Sequence, residues 1–284
     1  MKLVTFSHRK GGHDGHAGVL DGDHVACLTE AGLAGSVLEL ARGGRSALDA
    51  VRKGLAKAPR YALADVRLEA PIRPGKVLCS GVNYKAHADE NPNAKMPSEP
   101  FFFAKLPTSV VGPDAAVAKP PETDQMDYEV EFAAVIGSNL HKAREEEVMP
   151  AIFGYTLLND ISARDVQFKD NQITIGKNFA GFAPIGPVIV TADAMPRPDA
   201  VALKTRLNGR TLQDGSTSDW LFSLPRLIAF LSRYVPLEPG DIVSTGTPAG
   251  VGFFQKPPVF MKAGDVVEIE GEGIGVLRTP IVAG

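Results

Sequence analysis

The sequence predicts an α+β protein, with a β-rich domain behind a small α/β N-terminal unit. Three observations lead there. The 284 residues include 29 glycines and 22 prolines, above the roughly 12% combined share of an average chain, as many turns between short strands require. Beyond residue 72, apolar runs of four to eight residues bounded by Gly or Pro outnumber helical patterns. Only two stretches there carry helical spacing with a capping residue.

In order, residues 1–6, 15–20 and 24–28 read as short strands, with Asp21-Gly22-Asp23 as a turn. Residues 36–40 and 46–55 space Val, Leu and Ala as a helix does, interrupted by Gly43-Gly44. Pro71-Ile72-Arg73-Pro74-Gly75 punctuates the chain, which places a boundary near residue 72: a small N-terminal domain over 1–72, a catalytic domain over 73–284. Strands are expected at 76–79, 101–104, 129–136, 153–158, 187–190, 203–207, 241–244 and 266–270. Helices are expected from Ser162, through the capping-box outline Ser162-Ala163-Arg164-Asp165, and over 224–234 behind Ser223. The glycines of Gly271-Glu272-Gly273-Ile274-Gly275 suit a hairpin turn.

Composition narrows the function. With 44% hydrophobic and 22% charged residues the chain is globular, and a net charge of −3 gives no pull toward nucleic acid or anionic membranes. No apolar run approaches the roughly 18 residues of a spanning helix. The first 18 residues are polar and histidine-bearing where a signal peptide is apolar. Two cysteines, Cys27 and Cys79, make no disulfide framework. A cytoplasmic location is the expectation. Phosphate-loop, nucleophile-elbow, HExxH and CxxC patterns are absent.

The informative segment is Asp127-Tyr128-Glu129-Val130-Glu131, followed by the apolar residues 132–136. Residues two apart on a strand share a face, so Glu129 and Glu131 point together. On a solvated strand that pairing is unremarkable. On a buried one the two carboxylates need a cation, and a hard divalent ion such as Mg²⁺ suits oxygen donors. Asp160, after the apolar run 153–158, is either a third ligand or a helix cap. Lys177 is either a surface residue or a cation for developing negative charge. His87 and Glu90 are neighbours if 84–90 is helical, as a general base and its orienter would be, or as any surface pair would be. Residues 91–100 are polar with three prolines, which fits a lid. His8, His13 and His16 are either another metal site or, as expected, exposed residues of a glycine-rich loop. Arg73, Arg164, Lys105 and Lys169 are each either a site for a second substrate carboxylate or a structural ion pair, with Arg164 expected to pair with Asp165 or another acid.

These segments, in this order, resemble the fumarylacetoacetate hydrolase superfamily over roughly residues 73–280. The motifs are Gly81-Val82-Asn83-Tyr84 with His87 and Glu90, the 100–105 and 127–137 runs, 154–160, Ser162-Ala163-Arg164-Asp165, Gly176-Lys177, 184–187 and 240–250. The resemblance implies a mixed β-roll or β-sandwich-like catalytic domain in a homodimer. By position it implies Mg²⁺ or Mn²⁺ on Glu129, Glu131 and Asp160, catalytic His87, Glu90 and Lys177, and substrate contacts from Tyr84, Lys105, Gln167 and Thr247. Ala180 stands where many bacterial relatives carry Asp, which removes the basis for transferring a narrow specificity. The reaction so implied is metal-assisted hydrolysis of a carbon–carbon bond in a 2,4-dioxo acid, a small molecule, to a carboxylic acid and a 2-oxo acid. Oxaloacetate decarboxylation and isomerisation or tautomerisation of a hydroxymuconate-type acid are alternatives on the same site. An inactive binding protein on this fold is the non-enzymatic one.

Overall fold

The computed structural model describes residues 1–11, 15–90 and 96–284. The first strands are β1 (Lys2–His8), β2 (His16–Asp21), β3 (His24–Cys27), β4 (Arg60–Ala62) and β5 (Val66–Glu69). Next come β6 (Val77–Ser80), β7 (Phe102–Lys105), β8 (Val110–Val111), β9 (Val117–Lys119), β10 (Met126–Asp127) and β11 (Val130–Ile136). β12 (Ile152–Asn159), β13 (Ser162–Ala163), β14 (Ala183–Thr191) and β15 (Ala202–Leu207) follow. The last are β16 (Arg210–Ser216), β17 (Ile242–Ser244), β18 (Val266–Gly271) and β19 (Gly275–Ala283). The helices are α1 (Val37–Gly54), α2 (Lys85–Asp89), α3 (Glu145–Val148), α4 (Arg164–Phe168), α5 (Ile173–Gly176) and α6 (Leu224–Ser232).

β11 and β12 are apolar on both faces because both faces are covered, and every residue of both strands is buried. They pair antiparallel, with Val130 opposite Asn159 and Glu131 opposite Leu158. A 12-stranded sheet grows outward from them, through β14, β1, β2, β3 and β4 on one side and β17, β6 and β7 on the other. β16, β15, β18, β19 and β9 make a second sheet. Phe132 and Tyr155, stacked 5.1 Å apart, share one apolar core with Leu203, Ile269 and Leu277 of that second sheet. Burying a side chain of this size stabilises by about 1.5–3 kcal/mol. The result is the sheet-dominated α+β architecture that the sequence predicts. Among the described residues no helix is long and apolar enough to cross a membrane.

β1 pairs with β14, Lys2 opposite Val190 and Leu3 opposite Ile189, so strands from both sides of residue 72 share one sheet. The change near residue 72 is one of sequence character. As a domain boundary it stands as a proposal, tested by whether residues 73–284 fold alone. Helix α1 starts where Ser36 accepts the Glu39 N–H, and it kinks at Gly44, whose φ of 56° few other residues tolerate.

Two expectations are corrected. Ser162 does not cap a helix: Ser162–Ala163 is a strand paired with β10, the Ser162 hydroxyl donates to Asp160 O, and α4 begins at Arg164. His8 and His16 do not lie on an exposed loop. They end β1 and begin β2, half-buried. His13 lies outside the described residues.

Candidate active site

The β11–β12 register sets the first carboxylates. Asp160 N–H donates to Glu129 O at 3.0 Å, so Glu129 and Asp160 sit across from each other, and Glu131 follows two residues along the same face. β17 brings Ser244, whose hydroxyl donates to Glu131 Oε2. Lys177, just past α5, places Nζ 2.8 Å from Glu129 Oε2 and 2.7 Å from Asp160 Oδ2. That reach depends on Gly176, because a Cβ there would lie 2.7 Å from Gln167 Cα; without one, α5 closes on α4.

Arg164 donates from Nε to Asp127 Oδ2 at 2.9 Å and from a terminal nitrogen to Glu129 Oε1 at 2.5 Å. Its acidic partners are therefore Asp127 and Glu129, beside a donation to Gln167 Oε1 at 3.3 Å, and not Asp165, which instead accepts from Thr123 and the Asp124 N–H. The Gly252 and Phe253 N–H groups complete Asp127. Among the described residues, four buried carboxylates (Asp127, Glu129, Glu131, Asp160) here meet three buried cations (Lys105, Arg164, Lys177). One carboxylate is left without a cation of its own.

The titration behaviour follows. Burial raises Glu129, but Arg164 and then Lys177 outweigh it and hold the carboxyl well below its usual range. Burial pushes Glu131 up, and the neighbouring Asp160 and Glu129 carboxylates push it further. Burial lowers the Lys177 ammonium, yet Asp160 and Glu129 more than offset that loss. Glu131 is thus the carboxylate the protein leaves short of positive charge. Its ligand atom lies within 4.8 Å of one from Asp160 and of the Cys79 thiol, and the carboxylate oxygens of this group suit a hard divalent ion. The residues fit the Mg²⁺ or Mn²⁺ that the resemblance implies.

Above this cluster is a chamber of about 700 Å³. Glu129, Glu131, Arg164, Lys177, Gln167 and Thr247 give it a polar floor, and Phe101, Phe103, Phe168, Phe253 and Phe254 give it an aromatic wall. His87 reaches it from α2, whose Ala86 N–H donates to Asp219. His87 Nδ1 lies 2.6 Å from Glu90 Oε2, while Glu90 Oε1 accepts the Gly250 N–H at 2.8 Å. Glu90 thereby fixes the orientation of the imidazole, and among the described residues Nε2 has no hydrogen-bond partner.

Of the residues expected at the site, His87, Glu129, Glu131, Gln167, Lys177 and Thr247 line the chamber, and Asp160 lies just beneath. Glu90 stands behind His87. Two expected substrate contacts do not line the chamber. Lys105 is fully buried, donating to Ile161 O and Lys177 O at 2.8 and 2.6 Å and ion-paired with Asp160 Oδ1 at 2.7 Å, an oxygen that accepts no hydrogen bond among the described residues. Tyr84, buried at the head of α2 beside Trp220, faces the core and not the chamber. Arg73 and Lys169 are exposed and off the chamber wall. Of the expected lid, residues 91–95 lie outside the described residues; Met96 and Pro97 line the chamber.

Sequence reasoning missed Ser244 and Cys79, the latter a buried thiol within 4.8 Å of Glu131 and Asp160. Nothing in their local sequence marks them. It also missed Asp127 as the partner of Arg164, although the alternation 127, 129, 131 carried that signal.

The family model of the fumarylacetoacetate (FAA) hydrolase C-terminal domain matches residues 76–282. The chain belongs to this family. Among its relatives is the mitochondrial oxaloacetate tautomerase Fahd2a of Rattus norvegicus, 38% identical over 288 residues, covering 99% of this chain and 92% of the relative. The fumarylacetoacetate hydrolase of psychrophilic Exiguobacterium antarcticum superposes with a TM-score of 0.88 at 37% identity, over all of both chains. Maleylpyruvate hydrolase from Sphingobium sp. SYK-6, in complex with manganese(II) and pyruvate, superposes with a TM-score of 0.83 at 30% identity, again over all of both chains. Family members therefore act on small molecules, and one holds a divalent metal beside a 2-oxo acid.

Proposed function

We propose that this family member is a divalent-metal-dependent tautomerase of a 2-oxo acid of the oxaloacetate type. The observation that carries the reading is the His87–Glu90 pair, with Nε2 unengaged among the described residues, set over a carboxylate cluster short of positive charge. The oxaloacetate tautomerase named among the relatives supports it.

Glu129, Glu131 and Asp160 would hold Mg²⁺, or Mn²⁺ in its place. Bound there, the ion supplies Lewis-acid stabilisation to negative charge on the substrate's 2-oxo oxygen. His87 Nε2 takes the C3 proton, the C–H electron pair becomes the C2–C3 double bond, and the carbonyl π pair moves onto oxygen. That oxygen then takes a proton from solvent to give the enol, while the imidazolium returns its own proton to solvent; the ketonising direction runs the same steps in reverse. Glu90 keeps the imidazole in the required tautomer and stabilises the imidazolium that forms. Lys177 offers its ammonium to the enolate oxygen, while Gln167 and Thr247 hold substrate oxygens. The aromatic wall keeps water from the reacting carbon.

A second reading is hydrolysis of a 2,4-dioxo acid, with His87 activating water against the 4-carbonyl. The chamber's size favours it, since about 700 Å³ exceeds what a four-carbon acid needs, as do the two hydrolases among the solved relatives. One experiment separates the two. Oxaloacetate and an acylpyruvate are each given with Mg²⁺ in ¹⁸O-labelled water. Faster decay of the enol absorbance, without cleavage products, supports the tautomerase. A labelled carboxylic acid together with pyruvate would replace it with the hydrolase. A homodimer is proposed on the resemblance alone, and light scattering tests it.

A further inference from the structure

The N-terminal end of the large sheet gathers a second set of metal-ligating side chains. His8 closes β1, His16 opens the antiparallel β2, Cys27 closes β3, and Glu30 sits in the turn just after it. Register brings them together: His16 lies opposite Phe6, and Cys27 lies opposite Gly18. His8 Nε2 is 3.4 Å from Glu30 Oε1, His16 Nδ1 is 4.0 Å from the same oxygen, and Cys27 Sγ is 3.7 Å from His16 Nδ1. One ligand atom each from His8, His16 and Glu30 falls within 4.8 Å of the others.

Those spacings have a natural reading. Four ligands at the vertices of a zinc tetrahedron, about 2.0–2.2 Å from the ion for N and O and about 2.3 Å for S, stand roughly 3.3–3.6 Å apart. The 3.4 and 3.7 Å separations match those edges to within tenths of an ångström, the 4.0 Å one must contract by about 0.5 Å, and Cys27, outside the three-residue group, joins through His16. We propose that His8, His16, Glu30 and Cys27 form a second metal site, distinct from the chamber, for a borderline ion of the zinc type. Two imidazoles, a carboxylate and a thiol are donors such an ion prefers over Mg²⁺.

The surroundings are arranged as around a ligand set. Tyr61 donates its hydroxyl to Glu30 Oε2 at 2.6 Å, which orients the carboxylate and leaves Oε1 facing the histidines. That bond draws the Glu30 carboxyl down and raises the Tyr61 phenol to about 12, so Tyr61 serves as a neutral donor. Phe6 stacks on the His16 ring at 5.6 Å, and Tyr61 packs edge-on against His8 at 4.5 Å, so both imidazoles are held. His8, His16 and Glu30 are 32%, 22% and 34% exposed, open enough for an ion to enter, and the buried Cys27 supplies the inner donor. A thiol binds such an ion as the thiolate, so binding forms the metal–sulfur bond and releases the Cys27 proton to solvent.

The full chain, kept in excess Mg²⁺, is titrated with Co²⁺ as a spectroscopic stand-in for zinc. The expected result is one Co²⁺ per chain with a thiolate-to-cobalt charge-transfer band in the near ultraviolet. Cys79 lies beside the chamber carboxylates, so the band must vanish in Cys27→Ser and persist in Cys79→Ser. Tyr61→Phe, which keeps the packing, should weaken Co²⁺ binding by about 10–100-fold. His16→Gln should weaken it at least as much, with an unchanged circular dichroism spectrum. No charge-transfer band in the wild-type chain, or a band that survives Cys27→Ser, would overturn the proposal.

Discussion

Lys177 and Lys105 show how two lysines in one cluster differ in role. Lys177 keeps its ammonium at the chamber surface, tied to Glu129 and Asp160. Lys105 is sealed beneath, pinning Asp160 and the backbone of Ile161 and Lys177. Lys105→Met should therefore act on stability, leaving the buried Asp160 short of a cation at a cost of about 3–5 kcal/mol; urea unfolding measures it. A change in KM at unaltered stability would return Lys105 to the substrate. His87→Ala should lower kcat by roughly 10²–10⁴ while Mg²⁺ affinity, measured by calorimetry, stays as in the wild type. His87 touches none of the three proposed ligands in the hydrogen-bond network, so a loss of Mg²⁺ binding would place it elsewhere.

Among the elements, β11 was the most legible in sequence. Its 127–131 alternation and the apolar residues after it are local signals, and they expose both the shared face and the burial. The partner set was not legible. Lys105 reaches Ile161 and Lys177 across 56 and 72 residues of chain, and Ser244 reaches Glu131 across 113. Such pairings follow from sheet order, which no local pattern encodes. Ser162 misled because an N-cap outline describes one turn only, while pairing to β10 took that serine into a strand. The α4–α5 pair offers a test at this scale. Gly176→Ala drives a Cβ into Gln167, and overpacking of this kind costs typically about 1–3 kcal/mol. It should also shift Gln167 and Lys177 together, raising KM in steady-state assays. A KM at the wild-type value would show that the two helices do not position the substrate groups.

For the molecule as a whole, the excess carboxylate ties stability to metal. An ion that binds the folded chain and not the unfolded one stabilises it by about 2.7 kcal/mol at a hundredfold excess over Kd. Mg²⁺ should accordingly raise Tm in the wild-type chain, as scanning calorimetry would record. Glu131→Gln, which removes the carboxyl whose charged form burial and its acidic neighbours disfavour, should fold at least as well without metal and lose most of that rise. An equal rise in both would move the ion away from Glu131. The same large sheet carries the carboxylate cluster at β11 and the His8–His16–Glu30–Cys27 group at its N-terminal strands, so a Tm rise with Co²⁺ that persists in Glu131→Gln belongs to the second group. The most direct measurement is a crystal structure grown with Mn²⁺ and oxalate, which mimics the enolate of a 2-oxo acid. The prediction is one ion between Glu129, Glu131 and Asp160, with oxalate on its chamber side, Lys177 Nζ beside an oxalate oxygen, and His87 Nε2 facing the ligand. An ion bound away from these three carboxylates, or a His87 ring turned out of the chamber with oxalate in place, would contradict the metal-dependent proton transfer proposed for this protein.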